Sequence, residues 1–426
     1  MKPQARIQAC IELLEIIGTS KIPMDSTIGD YMRGRRYIGS KDRAAVVERV
    51  YAMMRSYAKL LWWLERMKVE DSPRNFMIAQ LVLCEEADEK RIKDLFDASK
   101  FSPEELRPDE IELIEKLSGK TLEHPDMPVS VRVECPAEYE EILRNYFGAE
   151  FENEMAAMLP PAILDIRVNT FLRSREDVKE SLKKDGIEST DTPYSPWGLR
   201  VNRKAFLSKT KAFNKGWIDI QDEGSQLIAH VCGVKPGLQV LDYCAGAGGK
   251  TLALASAMQR KGRIVAMDTE ERRLEKGKAR FRKAQVADII EVRPLSDERH
   301  RKWLRRQKET FDVVLLDVPC TGTGTWRRNP DTRWRTYGPG LEDLLKVQRE
   351  ILEKTAICVK KGGRLVYATC SLLPSENEEQ VEAFLKDHPE FSVVPPEDEK
   401  LGAPYLRLTP LRHATDGFFA AVMVKI

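Results

Sequence analysis

Long apolar runs, CxxC pairs, internal repeats and a marked excess of either charge are all missing from this sequence. Nothing approaches the ~20 consecutive apolar residues that a bilayer-spanning helix needs, so no membrane partner is expected. The opening MKPQARIQACIELLEIIG mixes apolar residues with charges, which suits an amphipathic helix rather than a signal peptide. The eight cysteines are scattered, which argues against a zinc site and against a secreted disulfide framework. No metal is expected, and a reducing cytoplasm that leaves thiols available for chemistry is the simplest setting. A net charge of +2 neither demands nor excludes a nucleic-acid partner, so any RNA-binding surface must be a local basic patch. Nothing calls for more than a monomer.

What is present is the composition of a globular protein, 42% hydrophobic and 32% charged, in 426 residues. That length is enough for two or three domains with their own cores. Apolar residues recur at helical spacing over 7–17, 44–67 and 76–84, predicting a helical bundle over residues 1–140, with Trp62 and Trp63 in its packing. A boundary is expected within 125–136. Residues 141–223 read as a small α+β connector: a helix at 137–147 leads into it, followed by a strand at 163–169, a helix at 174–184 and short strands at 199–201 and 217–219. Over 224–426 strands alternate with helices. The strands fall at 239–243, 263–267, 289–293, 313–317, 364–368, 391–394 and 418–424, with helices at 270–284, 341–360 and 375–386. This order predicts an α/β domain with a mostly parallel, seven-stranded sheet covered on both faces.

The first strand of that domain runs into Cys244-Ala245-Gly246-Ala247-Gly248-Gly249-Lys250-Thr251. Glycines at the end of such a strand allow a tight turn and close approach to a ligand. Gly249-Lys250-Thr251 fits the end of a phosphate loop, but Cys244 stands where the first glycine belongs. Gly246 and Gly248 fit a dinucleotide fingerprint, but Thr251 takes its third glycine position. S-adenosylmethionine is the remaining ligand, with Asp268 at the end of the second strand placed for its ribose. The loop alone leaves triphosphate and methyl donor open, and also a turn without any ligand.

Two further strand ends carry thiols: Asp317-Val318-Pro319-Cys320 and Thr369-Cys370-Ser371. If the two strands are parallel neighbours, both thiols open onto the same crevice as the glycine loop. Methylation of cytosine at carbon 5 gives two thiols work to do. Carbon 5 becomes nucleophilic only after a thiolate has added to carbon 6, and the adduct must then be released. Asp317 could meet the base edge, and Lys250 could orient Asp317 or lower the pKa of a thiol. Cys232 and Cys358 lie on apolar stretches and read as packing, and Cys244 leans the same way.

The chain resembles the RsmB/Fmu (Sun) branch of the bacterial RNA cytosine-5 methyltransferases. The matching motifs are RVNT at 167–170, QDEGSQL at 221–227, CAGAGGKT at 244–251, DVPCTGTG at 317–324, RRNPD at 327–331, YATCSLLPSENEEQV at 367–381 and DGFF at 416–419. The resemblance implies a class I Rossmann-like catalytic domain, Cys370 as nucleophile and Cys320 as the group that assists release. It also implies S-adenosylmethionine contacts from Cys244 through Lys250 and from Asp268, Arg273, Asp297 and Asp317, with Asp268 at the ribose, Asp297 near the adenine and Asp317 also at the target base. This chain has Ala247 where the family usually has proline, and PCT in place of the commoner PCS. Residues 36–43, RYIGSKDR, resemble a NusB-like RNA-binding domain, and the connector resembles a small RRM-like domain. Small-subunit ribosomal RNA is the implied substrate, with tRNA as the alternative.

Positive charge interleaved with aromatics suits RNA. Arg327, Arg328, Arg333 and Arg335 with Trp326 and Trp334 form one such stretch, and Arg33, Arg35, Arg36, Lys41 and Arg43 form a second patch. Residues 299–308 are also basic but read as a solvated helix face. Two rivals from other classes are a P-loop nucleotide hydrolase and a non-catalytic RNA-binding assembly factor.

Overall fold

The computed structural model describes residues 1–201, 205–334, 338–398 and 401–426. The chain forms two units. One comprises Met1–Pro160 and Trp326–Gly338, and the other Pro161–Thr325 and Pro339–Ile426.

The first unit is helical, with principal helices at Pro3–Thr19, Met24–Gly34, Ser40–Arg55, Tyr57–Met67, Pro73–Leu83, Pro108–Leu117 and Ala137–Phe147. Leu13 and Ile17, Val46 and Val50, Leu60 and Leu64, and Met77 and Leu81 are buried at four-residue spacing and build its core. The continuous helical pattern expected over 44–67 is divided at Ser56, whose φ of −118° and ψ of 22° leave helical geometry. The helix that follows is capped from a distance: buried Glu134 accepts hydrogen bonds from the backbone N–H groups of Ala58 (2.8 Å) and Lys59 (3.1 Å). Burial pushes the Glu134 carboxyl up to about 7, although those two bonds pull it down.

Trp326–Gly338 is built into this unit. Trp326 is 1% exposed and packs near Tyr139, with ring centroids 6.0 Å apart. Arg333 is 2% exposed, lies over the Trp326 ring and donates from Nη2 to the Met158 carbonyl at 3.1 Å. Asp331 accepts from the Met24 N–H at 3.1 Å. Trp334 donates from Nε1 to the Met54 carbonyl and packs against Tyr57. The expectation that this stretch offers its arginines and tryptophans to RNA is therefore corrected for Trp326, Arg327 and Arg333, which are buried because the segment closes the helical unit; Trp334 is half-buried. Arg328 is half-buried, and Arg335 lies outside the described residues.

The second unit holds two sheets. The smaller is antiparallel, built from β1 (Leu164–Val168), β2 (Ser189–Asp191), β3 (Gly198–Val201) and β4 (Ile218–Ile220), in the order β2-β3-β1-β4. The larger contains β5 (Gln239–Asp242), β6 (Arg263–Asp268), β7 (Ile290–Pro294), β8 (Phe311–Asp317), β9 (Val359–Thr369), β10 (Phe391–Val394), β11 (Leu406–Leu408) and β12 (Phe418–Lys425). Its order is β10-β12-β9-β8-β5-β6-β7, with β11 paired to β12. Strands β5 to β9 are parallel, and β12 pairs antiparallel with β9. This is a Rossmann-like architecture with eight strands rather than seven. The three residues of β11 are too few to show a period. The helix expected over 341–360 ends at Ala356, because Val359 is already paired in β9.

The small sheet is tied to the large one by polar contacts. Asn169 donates to the Ala284 carbonyl at 3.0 Å, and Arg280 bridges from Asp219 to the Ala247 carbonyl. Among the described residues no helix is long and apolar enough to cross a membrane.

Trp326→Ala should cost the helical unit about 3–5 kcal/mol. Hydrogen–deuterium exchange would read this as faster exchange over Pro3–Thr19 and Ser40–Arg55. Unchanged protection there would mean that the segment does not brace the unit.

Candidate active site

Parallel register assembles the site. Asp242, at the end of β5, is followed by the glycine loop and the helix Gly249–Ala257. On one side of β5 lies β6, ending at Asp268; on the other lies β8, ending at Asp317, which pairs with Ala368 of β9. Strand order therefore diverges at β5, the place where open α/β sheets bind ligands.

Both cysteines leave that shared register. Cys320 stands three residues beyond Asp317, Cys370 two beyond Ala368, and their sulfurs are 3.4 Å apart. The two turns are joined further out, where Gly324 N–H donates to the Cys370 carbonyl (2.9 Å) and Gly417 N–H to the Gly324 carbonyl (2.7 Å). A Cβ on Gly324 would lie 2.2 Å from the Gly417 carbonyl oxygen, so backbone meets backbone there. The hydrogen bond with Cys370, and then burial, drive the Cys320 thiol well above its ordinary range, so Cys320 holds its proton. Burial likewise raises Cys244, which packs against the apolar core and stays a thiol.

Lys250 donates to Asp317 Oδ2 at 2.7 Å. Burial disfavours the ammonium, but the charge and hydrogen bond of Asp317 outweigh this and raise its pKa. Lys250 also lies 5.6 Å from the Phe418 ring centroid. The charge that a phosphate loop would direct at a triphosphate is thus engaged by a carboxylate. Asp242 and Asp268 add two more acids, and all three carboxylates act electrostatically on Cys244.

The glycine loop is tightly turned and packed against its own unit. Gly246 (φ +56°) and Gly248 (φ +78°) turn the backbone back on itself, and a Cβ at these positions would meet Arg273 at 2.6 Å and the Phe281 ring at 2.3 Å. Asp268 holds the loop to β6, accepting from Gly246 N–H at 2.7 Å and Glu270 N–H at 2.8 Å, with lone pairs left over for hydroxyl donors. Ala245, Ala247 and Gly249 complete the loop, and Arg280 donates to the Ala247 carbonyl at 2.5 Å. Asp297 stands apart in its bonding: it caps the helix Glu298–Leu304 and pairs with Arg299, which holds its carboxyl down at about 2.

In the helical unit, Arg36 and Lys41 are exposed beside Tyr37, which is 72% exposed. Arg43 braces its own turn by donating to the carbonyls of Ile38 and Arg35. Sequence reasoning passed over Glu376, Gln348, Tyr367, Thr323 and Asn377, all buried around the two cysteine turns. In SENEE an acid reads as solvated, and the motif alone carries no signal of burial.

The fold is that of the Rossmann-like methyltransferases. Residues 230–424 match the family described as 16S rRNA methyltransferase RsmB/F, and residues 136–206 match the Methyltr_RsmF/B-like, ferredoxin-like domain. Ribosomal RNA small subunit methyltransferase B of Yersinia pseudotuberculosis is 32% identical over 74% of this chain and 70% of its own length. The probable ribosomal RNA small subunit methyltransferase B of Synechocystis sp. is 34% identical over 65% of this chain, and the matched part spans 63% of its length. The corresponding protein of Photorhabdus laumondii is 34% identical, with 59% of its length spanned. Among solved structures, PH0851 aligns with a TM-score of 0.79 at 28% identity, covering 100% of this chain and 99% of that one. A methyltransferase homolog protein from Pyrococcus horikoshii aligns at 0.60 and 29%, covering 70% of this chain and 98% of its own. The chain belongs to the RsmB/F methyltransferase family.

Asp242 is fully buried: Oδ2 accepts from the Thr251 hydroxyl at 2.6 Å and Oδ1 has no protein partner. Burial pushes its carboxyl from 3.8 up to about 7, against the pull of Thr251. The folded protein keeps a proton that the unfolded chain loses near pH ~4, so stability falls as pH rises from about 4 to about 7. Asp242→Asn should flatten the decline in melting temperature between about pH 5 and 7 relative to wild type. Parallel profiles would show that Asp242 does not titrate there.

Proposed function

We propose that this protein is an S-adenosylmethionine-dependent RNA cytosine-5 methyltransferase acting on small-subunit ribosomal RNA, as a cytoplasmic monomer. The observation that carries the proposal is the pair of sulfurs 3.4 Å apart at the ends of adjacent parallel strands, beside the glycine loop. The names of the relatives support the substrate class, and the pairing of Lys250 with Asp317 speaks against a triphosphate.

S-adenosylmethionine, when bound, supplies an electrophilic methyl group. The backbone from Cys244 to Lys250 and the Asp268 carboxylate would hold it, with Arg273 alongside. Cys370, as thiolate, adds to carbon 6 of cytosine and makes carbon 5 nucleophilic. Asp317, oriented by Lys250, accepts a hydrogen bond from the amino group of the target base. After methylation the carbon-5 proton leaves to a base. The electron pair of that C–H bond re-forms the double bond as the bond from carbon 6 to sulfur breaks, and its pair returns to Cys370. Cys320 keeps its proton and stands beside the departing sulfur, which suits it to assist this release as an acid. Asp297, spent on its helix cap and Arg299, has a weaker claim to the adenine. The helical unit is read as the RNA-docking part, with exposed Arg36 and Lys41 for phosphates and Tyr37 for stacking.

Labelled methyl transfer to unmodified small-subunit rRNA, with tRNA in parallel and the product base mapped, tests the proposal. Cys370→Ala should lower turnover by at least about a thousandfold. Cys320→Ala should instead leave an SDS-resistant RNA–protein adduct. An adduct trapped by Cys370→Ala would reverse the two roles, and label confined to tRNA would replace the substrate.

A further inference from the structure

Cys320 sits between two residues that are both tied to one buried side-chain pair. Ahead of it, the Pro319 carbonyl accepts from Gln348 Nε2 at 2.9 Å. After it, Thr321 gives its backbone N–H to Glu376 Oε1 at 2.9 Å and its hydroxyl to Glu376 Oε2 at 2.5 Å. Gln348 Nε2 also donates to Glu376 Oε1 at 2.9 Å, which closes the ring. Tyr367 donates its hydroxyl to the Glu376 carbonyl at 2.6 Å and fixes the backbone of that turn to β9. Glu376, Gln348 and Tyr367 are all fully buried.

No cation pairs with Glu376 among the described residues; its carboxylate is satisfied by hydrogen bonds alone. A buried carboxylate is costly to maintain, and a neutral acceptor could serve a purely space-filling role more cheaply. What an ionised carboxylate provides, and an amide does not, is acceptor capacity on both oxygens. Here those oxygens grip both donors of the residue next to Cys320. The Ser371 hydroxyl, beside Cys370, lies 3.2 Å from the hydroxyls of Thr321 and Thr323, so the second cysteine turn is referred to the same frame.

We infer that Glu376, acting with Gln348, is a positioning residue that holds Cys320 against Cys370 and thereby sets the rate at which the RNA adduct is released. The inference rests on the covalent reading proposed above. Glu376 hydrogen-bonds to neither sulfur; with Gln348 it holds the backbone on both sides of Cys320, and its charge also acts on the Cys320 thiol. Loosening the bracket leaves Cys370 free to attack, while the sulfur that assists release drifts.

Glu376→Gln keeps the shape but makes one of the two acceptors a donor, whichever way the amide is turned. Turnover should fall by at least about tenfold with the KM for RNA within about twofold of wild type, and SDS-resistant adduct should accumulate. Thr321→Ala removes a single hydroxyl and should show the same split at smaller amplitude. In the absence of RNA, mass-spectrometric alkylation with iodoacetamide should show Cys320 reacting faster relative to Cys370 in Glu376→Gln than in wild type. The inference is overturned if both variants release adduct at the wild-type rate, or if they lose activity with no adduct and an unchanged alkylation ratio. Cys320→Ala run alongside separates the two levels. If that variant traps no RNA, the division of labour between the cysteines fails, while the alkylation ratio still decides whether Glu376 positions Cys320.

Discussion

Val314, Leu315 and Leu316 of β8 pair in parallel with Leu365, Val366 and Tyr367 of β9, all fully buried. The chemistry at the sheet edge depends on this register. Side chains alternate along a strand, so a shift of one residue would turn Asp317 to the other face. Two further devices keep the edge from relaxing: the close approach of Gly324 and Gly417, and the antiparallel pairing of Thr369 with Phe419 on β12. The sheet is continuous from the ligand loop to the C-terminal strand, so the position of each thiol follows from apolar packing well below it.

Charge at the site has its own economy. Three aspartates terminate three neighbouring strands, and Lys250 neutralises the one beside the cysteines. Asp242 yields to burial and takes a proton, while Asp268 is satisfied by two backbone N–H groups. The same residue type therefore serves as a neutral structural acid, a loop anchor and a charged partner, according to the solvation of each strand end.

Much of this was legible in the sequence, for reasons that differ by element. Strands β5 to β9 declare themselves as short apolar runs separated by amphipathic helices, and the two cysteines are marked by their places after such runs. The division of the 44–67 run at Ser56 was hidden, because both halves keep helical spacing and the cap comes from Glu134, 76 residues from Ala58. The tryptophan–arginine stretch misled for a physical reason. A cation over an aromatic ring is favourable in a protein core as well as against RNA. Composition alone cannot tell Arg333 over Trp326 from an arginine awaiting a phosphate. Glu376 was hidden by its acidic neighbours, since the donors that make its burial tolerable come from Thr321 and Gln348, at least 28 residues away.

The return of Trp326–Gly338 to the helical unit means that the chain passes between the two units three times, at Pro160, Thr325 and Gly338. The helical unit is therefore not a contiguous stretch of gene. A single recombination or truncation near codon 160 would strip Trp326 and Arg333 of the side chains that bury them and leave an apolar, cationic loop in water. Gain, loss or exchange of this unit thus requires coordinated change at two distant places in the reading frame.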